Sequence, residues 1–301
     1  LAALASRGVN RRTAYEEMVI AGALWGTIGP AVAIVAEHTP LTPLQTSYWR
    51  LLIAIVPVTA LAVFLSRGRV RPSRTTVLCG LVVGVLTGAS QLSYFAAVAG
   101  SGIAVPTLIT CALGPVLTAL GQTLIFKARP DRRTLVVMAA AIAGLALLVL
   151  ESPADVTLLG VVLSVASAAT FAAYTLAAGP VSRRMDVTAL NASAIMGGAL
   201  AMLPFVLITG GPGLAGSTVG WLALLYLGLV ASGLAYALYF SAARSLPSTH
   251  ITILALLEPV VAAAIAVAFF DEALTAGVIL GGLLMLGAVA ALRPRRPQIQ
   301  P

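Results

Sequence analysis

Two ionisable residues stand in sequence that is apolar on both sides. Glu258 precedes Pro259 in the middle of THITILALLEPVVAAAIAVAFF, and Arg50 lies in QTSYWRLLIAIVPV. The chain is 59% hydrophobic and only 9% charged, with a mean hydropathy of +1.02, so the medium around such runs is lipid rather than water. A charge there costs at least about 2.5 kcal/mol, and it is expected to face the interior of a helical bundle with a partner. Two kinds of chemistry fit the pair. One is an ion pair that pins two helices together. The other is a carboxylate that binds a cation or takes up a proton beside a fixed positive charge.

Other polar and aromatic residues fall at similar depths in the apolar runs: Trp25 and Thr27, Gln91 and Tyr94, Thr107 and Thr110, Phe171 and Tyr174, Tyr236 and Tyr239, and Thr252. Together they are candidates to line a cavity with aromatic walls and a few fixed polar groups, the kind of site a small amphipathic solute requires. Taken singly, each fits a packing role at least as well. Pro115 and Pro259 remove one backbone donor each and free the carbonyls of Cys111 and Ala255, so both helices are expected to kink and to serve as hinges. Tyr15, Trp49 and Trp221 suit the aromatic belt at the membrane surface. His38 and His250 belong to opposite ends of their runs, and Cys79 and Cys111 read as small apolar fillers, so no metal site is expected. With no phosphate-binding Gly-Lys-Ser/Thr run and no intramembrane Ser, His and Asp set, neither an enzyme nor a cofactor is indicated.

The elements that must position these residues are apolar runs long enough to span the roughly 30 Å hydrocarbon layer as helices. Ten can be marked: Met18–Ala36, Leu44–Leu65, Thr76–Ala99, Ile103–Phe126, Arg133–Leu150, Leu158–Ala178, Ala189–Ile208, Val219–Ala243, Thr249–Phe270 and Leu274–Leu292. Short connectors such as SRGRVRPSR, KARPDRR and TGGPGLAGS separate them, and a β-barrel would show short alternating segments instead. The first run is too long for the core of a signal peptide and reads as an uncleaved first helix. The net charge of +8 does not indicate nucleic acid, because all 18 Lys and Arg residues except Arg50 fall in alternate connectors or at the ends. That distribution places the basic connectors and both termini on the cytoplasmic side. In this frame Glu258 is about 15 Å from the inner end of its run and Arg50 about 12 Å from the outer end of its own, which puts them within about 3 Å of one level.

The two halves of the chain repeat. YFAAVA at Tyr94 returns as YFSAAR at Tyr239, ALGPVLTAL around Pro115 as LLEPVVAAA around Pro259, and LTPLQ at Leu41 as VTALN at Val187, each offset by about 145 residues. Five helices per repeat is an odd number, so the copies are inverted. The expected fold is an all-α integral membrane protein of the plasma membrane, with ten transmembrane helices in two inverted repeats. Residues 1–17 would be a cytoplasmic segment, 18–150 the first repeat, 151–292 the second and 293–301 a cytoplasmic tail. Inverted repeats recur in secondary transporters, whose substrate site lies between the halves.

From SGLAYALYF through LLEPVVAAA to GGLLMLGAV, the second half resembles the repeat of the EamA-type, ten-helix drug/metabolite transporter superfamily, which has a Glu-Pro in its ninth helix, an acidic residue after it and a glycine-rich tenth helix. The first half resembles it through ALWGTIG at Ala23 and through YWRLLIA, whose Arg50 matches the family's Arg in the second helix. It departs at FKARP, where the acidic residue expected near Ala128 is absent. The resemblance implies transport of a small molecule across the lipid bilayer by alternating access and is weak for substrate, since family members move amino acids, drugs, nucleotide sugars and other metabolites. The aromatic residues and the absence of a basic cluster argue against a nucleotide sugar and for export of an amino acid or similar amphipathic solute, with proton coupling through Glu258 as one option. Export of cationic drugs or amines is the alternative, and a scaffold or channel is the alternative of another class. The small residues of GGLLMLGA suit close helix contact, either within one chain or at the face of a homodimer.

The charge distribution fixes a test of sidedness. A cysteine replacing Gly213 is expected to react with an impermeant thiol reagent from outside, and one replacing Ser73 only from inside. Labelling of both from one side would overturn the inverted arrangement.

Overall fold

The computed structural model describes residues 10–65, 73–102, 104–149, 157–270 and 273–294. Residues 1–9 and 295–301 of the two end segments, the connector at 66–72, the boundary between repeats at 150–156 and the acidic residues after the ninth run, Asp271 and Glu272, lie outside the described residues. The described residues contain helices and no strand. In chain order the helices are α1 (Arg11–His38), α2 (Pro43–Leu65), α3 (Arg74–Ser101), α4 (Ala104–Phe126), α5 (Arg132–Val149), α6 (Leu158–Arg184), α7 (Val187–Ile208), α8 (Thr218–Ala243), α9 (Ser248–Phe269) and α10 (Ala276–Ala291). Eight of them are long and apolar enough to cross a membrane, and α10 is a shorter apolar helix.

Helix starts are set by polar caps. Ser73, Thr157, Ser217 and Thr275 accept from the backbone N–H groups of Thr76, Gly160, Gly220 and Val278, while Asp131 and Asp186 cap α5 and α7 through Thr134 and Ala189. Helix α1 begins seven residues before the apolar run read from the sequence, because hydropathy marks only its lipid-level part; the added turns bury Ala14, Tyr15 and Glu17. Large apolar side chains such as Leu158, Ile208 and Phe64 are about four-fifths exposed, as suits a surface against acyl chains.

The packing has an internal symmetry. Helix α3 packs on α7 and α6, and α8 packs on α2 and α1; α4 packs on α6, and α9 on α1; α2 meets α7, α4 meets α9, and α5 meets α10. Exchanging each helix with the one five places away maps this set onto itself. The closest crossing is α3 on α7. Gly80, Gly84 and Gly88 recur every fourth residue, and a Cβ at Gly84 would stand 2.0 Å from the Ala194 carbonyl oxygen, while one at Gly197 would stand 2.4 Å from that of Leu81. The stripe is a small-xxx-small contact of the kind that lets backbones touch in lipid. Gly144 of α5 and Gly281 of α10 meet in the same way, with a Cβ on Gly281 2.4 Å from the Gly144 carbonyl oxygen. That contact of the tenth helix is therefore intramolecular.

Replacing Gly84 by Val is expected to destabilise the fold by an overpacking cost of about 1–3 kcal/mol, read as a fall in Tm. Gly287→Ala, where nothing lies within 4 Å of the added Cβ, should not lower it. Equal melting of the two variants would overturn this account of the crossing.

Candidate functional site

The crossing of α3 and α7 sets the frame in which Arg50 is held. Arg50 on α2 is 3% exposed, and its Nη2 donates to Oε1 of Gln91 on α3. Gln91 Nε2 donates in turn to the Tyr236 hydroxyl on α8, at 3.4 Å. The Arg50 Nε and Nη1 atoms are buried with no hydrogen-bond partner. Helix α8 reaches this chain through a π-helical segment, Leu229–Leu234, which packs along α2 and whose Gly233 carbonyl accepts from Asn191 Nδ2 at 3.2 Å. Such a segment interrupts the regular α-helical pattern immediately before Tyr236.

Aromatic rings from three helices converge here. Trp25 on α1 lies 5.4 Å from Tyr236 and 5.6 Å from Tyr239, centroid to centroid, and Tyr239 lies 6.0 Å from Tyr174 on α6. Phe171 and Phe240 extend the cluster. The Tyr239 hydroxyl donates to Thr175 Oγ1 at 3.2 Å. The rings lie against one another rather than around an open space. A cavity bordered by Leu51, Thr87, Gly198, Tyr236 and Phe240 measures about 10 Å³, the scale of one water at most.

Glu258 sits where two interrupted helices meet. Helix α9 is broken at Leu256, between Ser248–Ala255 and Leu257–Phe269, and α1 is broken at Thr27, between Arg11–Gly26 and Ile28–His38. A Cβ on Gly26 would lie 2.6 Å from the Glu258 carbonyl oxygen, so the two interruptions are in contact. Thr27 donates to the Leu24 carbonyl at 2.7 Å and accepts from the Tyr226 hydroxyl at 2.8 Å. Pro259 follows the α9 break, whereas α4 runs through Pro115 as one helix. The half-buried Glu258 side chain is within electrostatic reach of Arg50, Tyr94, Cys111, Tyr174 and Tyr236. It does not form an ion pair with Arg50. Among the described residues the ion pair is Arg12 with Glu16, at 3.1 Å. The direct Arg50–Glu258 bridge suggested by their common depth is thus not made in this conformation; the guanidinium donates to Gln91 through Nη2 and leaves Nε and Nη1 open.

The remaining candidates are tied up elsewhere in the bundle. Tyr94 and Thr107 bond to each other across α3 and α4 at 2.7 Å, and Thr110 donates to the Ser164 carbonyl of α6 at 3.3 Å. Thr252 is fully buried and donates to the Thr249 carbonyl of its own helix at 3.0 Å. Tyr15 is a correction: its hydroxyl is buried and donates to the Val289 carbonyl at 2.8 Å, joining α1 to α10 rather than standing in an aromatic belt. Trp49 and Trp221 pack edge to face at 5.2 Å, with the Trp49 indole N–H donating to the Pro212 carbonyl. His250 meets Thr134, and His38 the carbonyl of Ile34.

Three features escaped the sequence reading. Glu17 is buried beside Ser241, although it belongs to the segment read as cytoplasmic. Ser90 and Ser167 donate to each other's backbone carbonyls at 3.0 and 2.8 Å, and Gln122 accepts from the Thr249 N–H at the start of α9 at 3.2 Å. An isolated Gln inside an apolar run was the available signal for the last.

A bundle of long apolar helices with a buried, half-satisfied arginine and exposed apolar flanks defines a multi-pass membrane protein. The EamA-like transporter family matches residues 17–150 and again 158–293, one match for each half. The chain belongs to this family and is a transporter of the plasma membrane. It is 29% identical over 290 residues to the uncharacterized transporter YwfM of Bacillus subtilis (strain 168), covering 93% of this chain and 94% of that one. It is 26% identical over 273 residues to an uncharacterized transporter of Archaeoglobus fulgidus, covering 90% and 93%. A solved crystal structure shares the fold at a TM-score of 0.79, with 19% identity over 94% of this chain and 98% of that one.

Gln91 Oε1 is the acceptor for the hydrogen bond that the buried Arg50 makes through Nη2. Gln91→Leu is expected to lower stability by about 1.5–3 kcal/mol, the worth of a hydrogen bond to a charged group, read as a fall in Tm in detergent. An unchanged Tm would mean that Arg50 is satisfied in some other way.

Proposed function

We propose that the protein is a secondary transporter that exports a small metabolite, an amino acid or similar amphipathic solute, by alternating access of two inverted five-helix repeats with ten crossings. The observation that carries this reading is Arg50, buried with Nε and Nη1 unpartnered beside the aromatic cluster. A guanidinium offers its N–H groups as a planar fork that matches a carboxylate, so a substrate carboxylate would satisfy what the protein leaves open. Glu258, within electrostatic reach of the same rings, is suited to a substrate amine or to a proton. Arg50 is the one buried basic residue among the described residues, whereas a polyphosphate or nucleotide sugar calls for several. The breaks at Thr27 and Leu256, with Pro259 beside the second, are places where α1 and α9 could bend as the repeats rock, and bending there would open the closed ring cluster. Pro115 would act as the matching flexure in α4. Export of cationic amines is the second reading, favoured by the aromatic rings around a carboxylate.

Flux into or out of liposomes containing the purified protein tests the proposal, with amino acids, amines and nucleotide sugars as solutes. Saturable amino-acid flux is expected, strongly reduced in Arg50→Gln. In Glu258→Gln a folded protein with little flux and no remaining pH dependence is expected. A sharp fall in Tm instead, partly restored by also neutralising Arg50, would make Glu258 a structural counter-charge, since stranding one member of a buried pair costs roughly 3–5 kcal/mol. Flux confined to nucleotide sugars would overturn the substrate class. Absence of saturable flux for every solute would favour a channel or scaffold.

A further inference from the structure

Away from the ring cluster, an open groove lies between α4 and α6. Its volume is about 520 Å³, and its lining is almost wholly apolar, including Leu117, Ile125 and Phe126 from α4 and Ala173, Pro180 and Val181 from α6. It exists because alanines at 169, 172, 173 and 177 leave one face of α6 without bulk. Leu176 closes the floor by seating on Gly121, where an added Cβ would be 2.3 Å from its Cδ1. Along α4 the lining runs from Leu117 to Phe126 and along α6 from Ala169 to Val181, which is about 13 to 18 Å at 1.5 Å per residue. That is about half of a roughly 30 Å hydrocarbon core, the depth of one leaflet.

One end of the groove is basic. Lys127 follows Phe126 directly and terminates α4 with φ 53°. Arg184 continues the face of Pro180 and Val181 by a further helical turn, and both cations are exposed. Neither forms an ion pair among the described residues. The acidic groups nearby are occupied as helix caps, Asp131 on the Thr134 N–H at 2.8 Å and Asp186 on the Ala189 N–H at 2.9 Å. A leaflet-deep apolar slot that ends in two exposed cations, neither in an ion pair among the described residues, matches one ligand chemistry, a chain of hydrocarbon joined to an anionic headgroup.

We propose that the α4–α6 groove holds an acyl chain of an anionic phospholipid from the leaflet on the basic side, with Lys127 and Arg184 on its phosphate. The site is separate from Arg50 and Glu258, and it does not depend on which solute is transported. Phosphatidylglycerol added to the purified protein in detergent should raise Tm by several degrees and remain bound in native mass spectrometry. Phosphatidylcholine and inorganic phosphate should do neither. Lys127→Gln with Arg184→Gln, which leaves the groove intact, should weaken phosphatidylglycerol binding by about fivefold per basic residue. Ala173→Phe, which fills the groove, should weaken it while both cations remain. Equal effects of the two lipids, replacement of the lipid by free phosphate, or indifference to both variants would overturn the proposal. So would a protein that is dimeric in detergent and becomes monomeric on Ala173→Phe, since a second copy would then be the occupant.

Discussion

The contact between the glycine stripe of α3 and the small residues of α7 is the constraint on which the core depends. In lipid there is no gain from hiding apolar side chains, because the surroundings are as apolar as the side chains themselves. Helices associate through close packing and hydrogen bonds, and both weaken quickly with distance. Gly84 over the Ala194 carbonyl permits an approach that any Cβ would prevent. With α3 fixed there, Gln91 is brought against Arg50 of α2, and α8 is held where Tyr236 completes the chain.

Symmetry and asymmetry then divide the labour. The interfaces repeat when each helix is exchanged with its partner five places on, yet the charge and the helix breaks do not repeat. Pro259 follows an interrupted α9 and neighbours Glu258, while Pro115 lies in an uninterrupted α4 and follows Gly114. The α1–α9 contact carries the carboxylate and two broken helices. Its counterpart, α6–α4, carries Phe171 over Gly114, and it carries the apolar groove. One copy of the duplicated contact thus holds polar chemistry inside the bundle, and the other presents hydrocarbon to the bilayer.

Much of this was legible in the residues. The cost of a charge in lipid made Arg50 and Glu258 conspicuous, and the repeated YF and Gly/Glu-Pro stretches placed Tyr94, Tyr239, Pro115 and Pro259 in related positions. The convergence of Trp25, Tyr174, Tyr236 and Tyr239 also followed from their common depth. Thr252 shows where such reasoning stops. A threonine hydroxyl can bond the preceding turn of its own helix whatever its depth, and here it does. Glu17 failed in the opposite direction, since the segment read as cytoplasmic suggested water while its helix face points inward.

The sequence by itself determined the class of fold, the apolar spans and the two inner charges, because burial in lipid acts on composition and length, which are local. It also determined the duplication, since copies keep their spacing. Only the tertiary structure decided which hydrogen bonds are made. Gln91 rather than Glu258 takes the Arg50 guanidinium, and Tyr15 bonds α10 rather than the membrane surface, because such bonds depend on rotation about each helix axis and on approaches of tenths of an ångström. Those quantities are fixed by close contacts between helices far apart in the chain, such as Gly80, Gly84 and Gly88 against α7, and no single run of residues contains them.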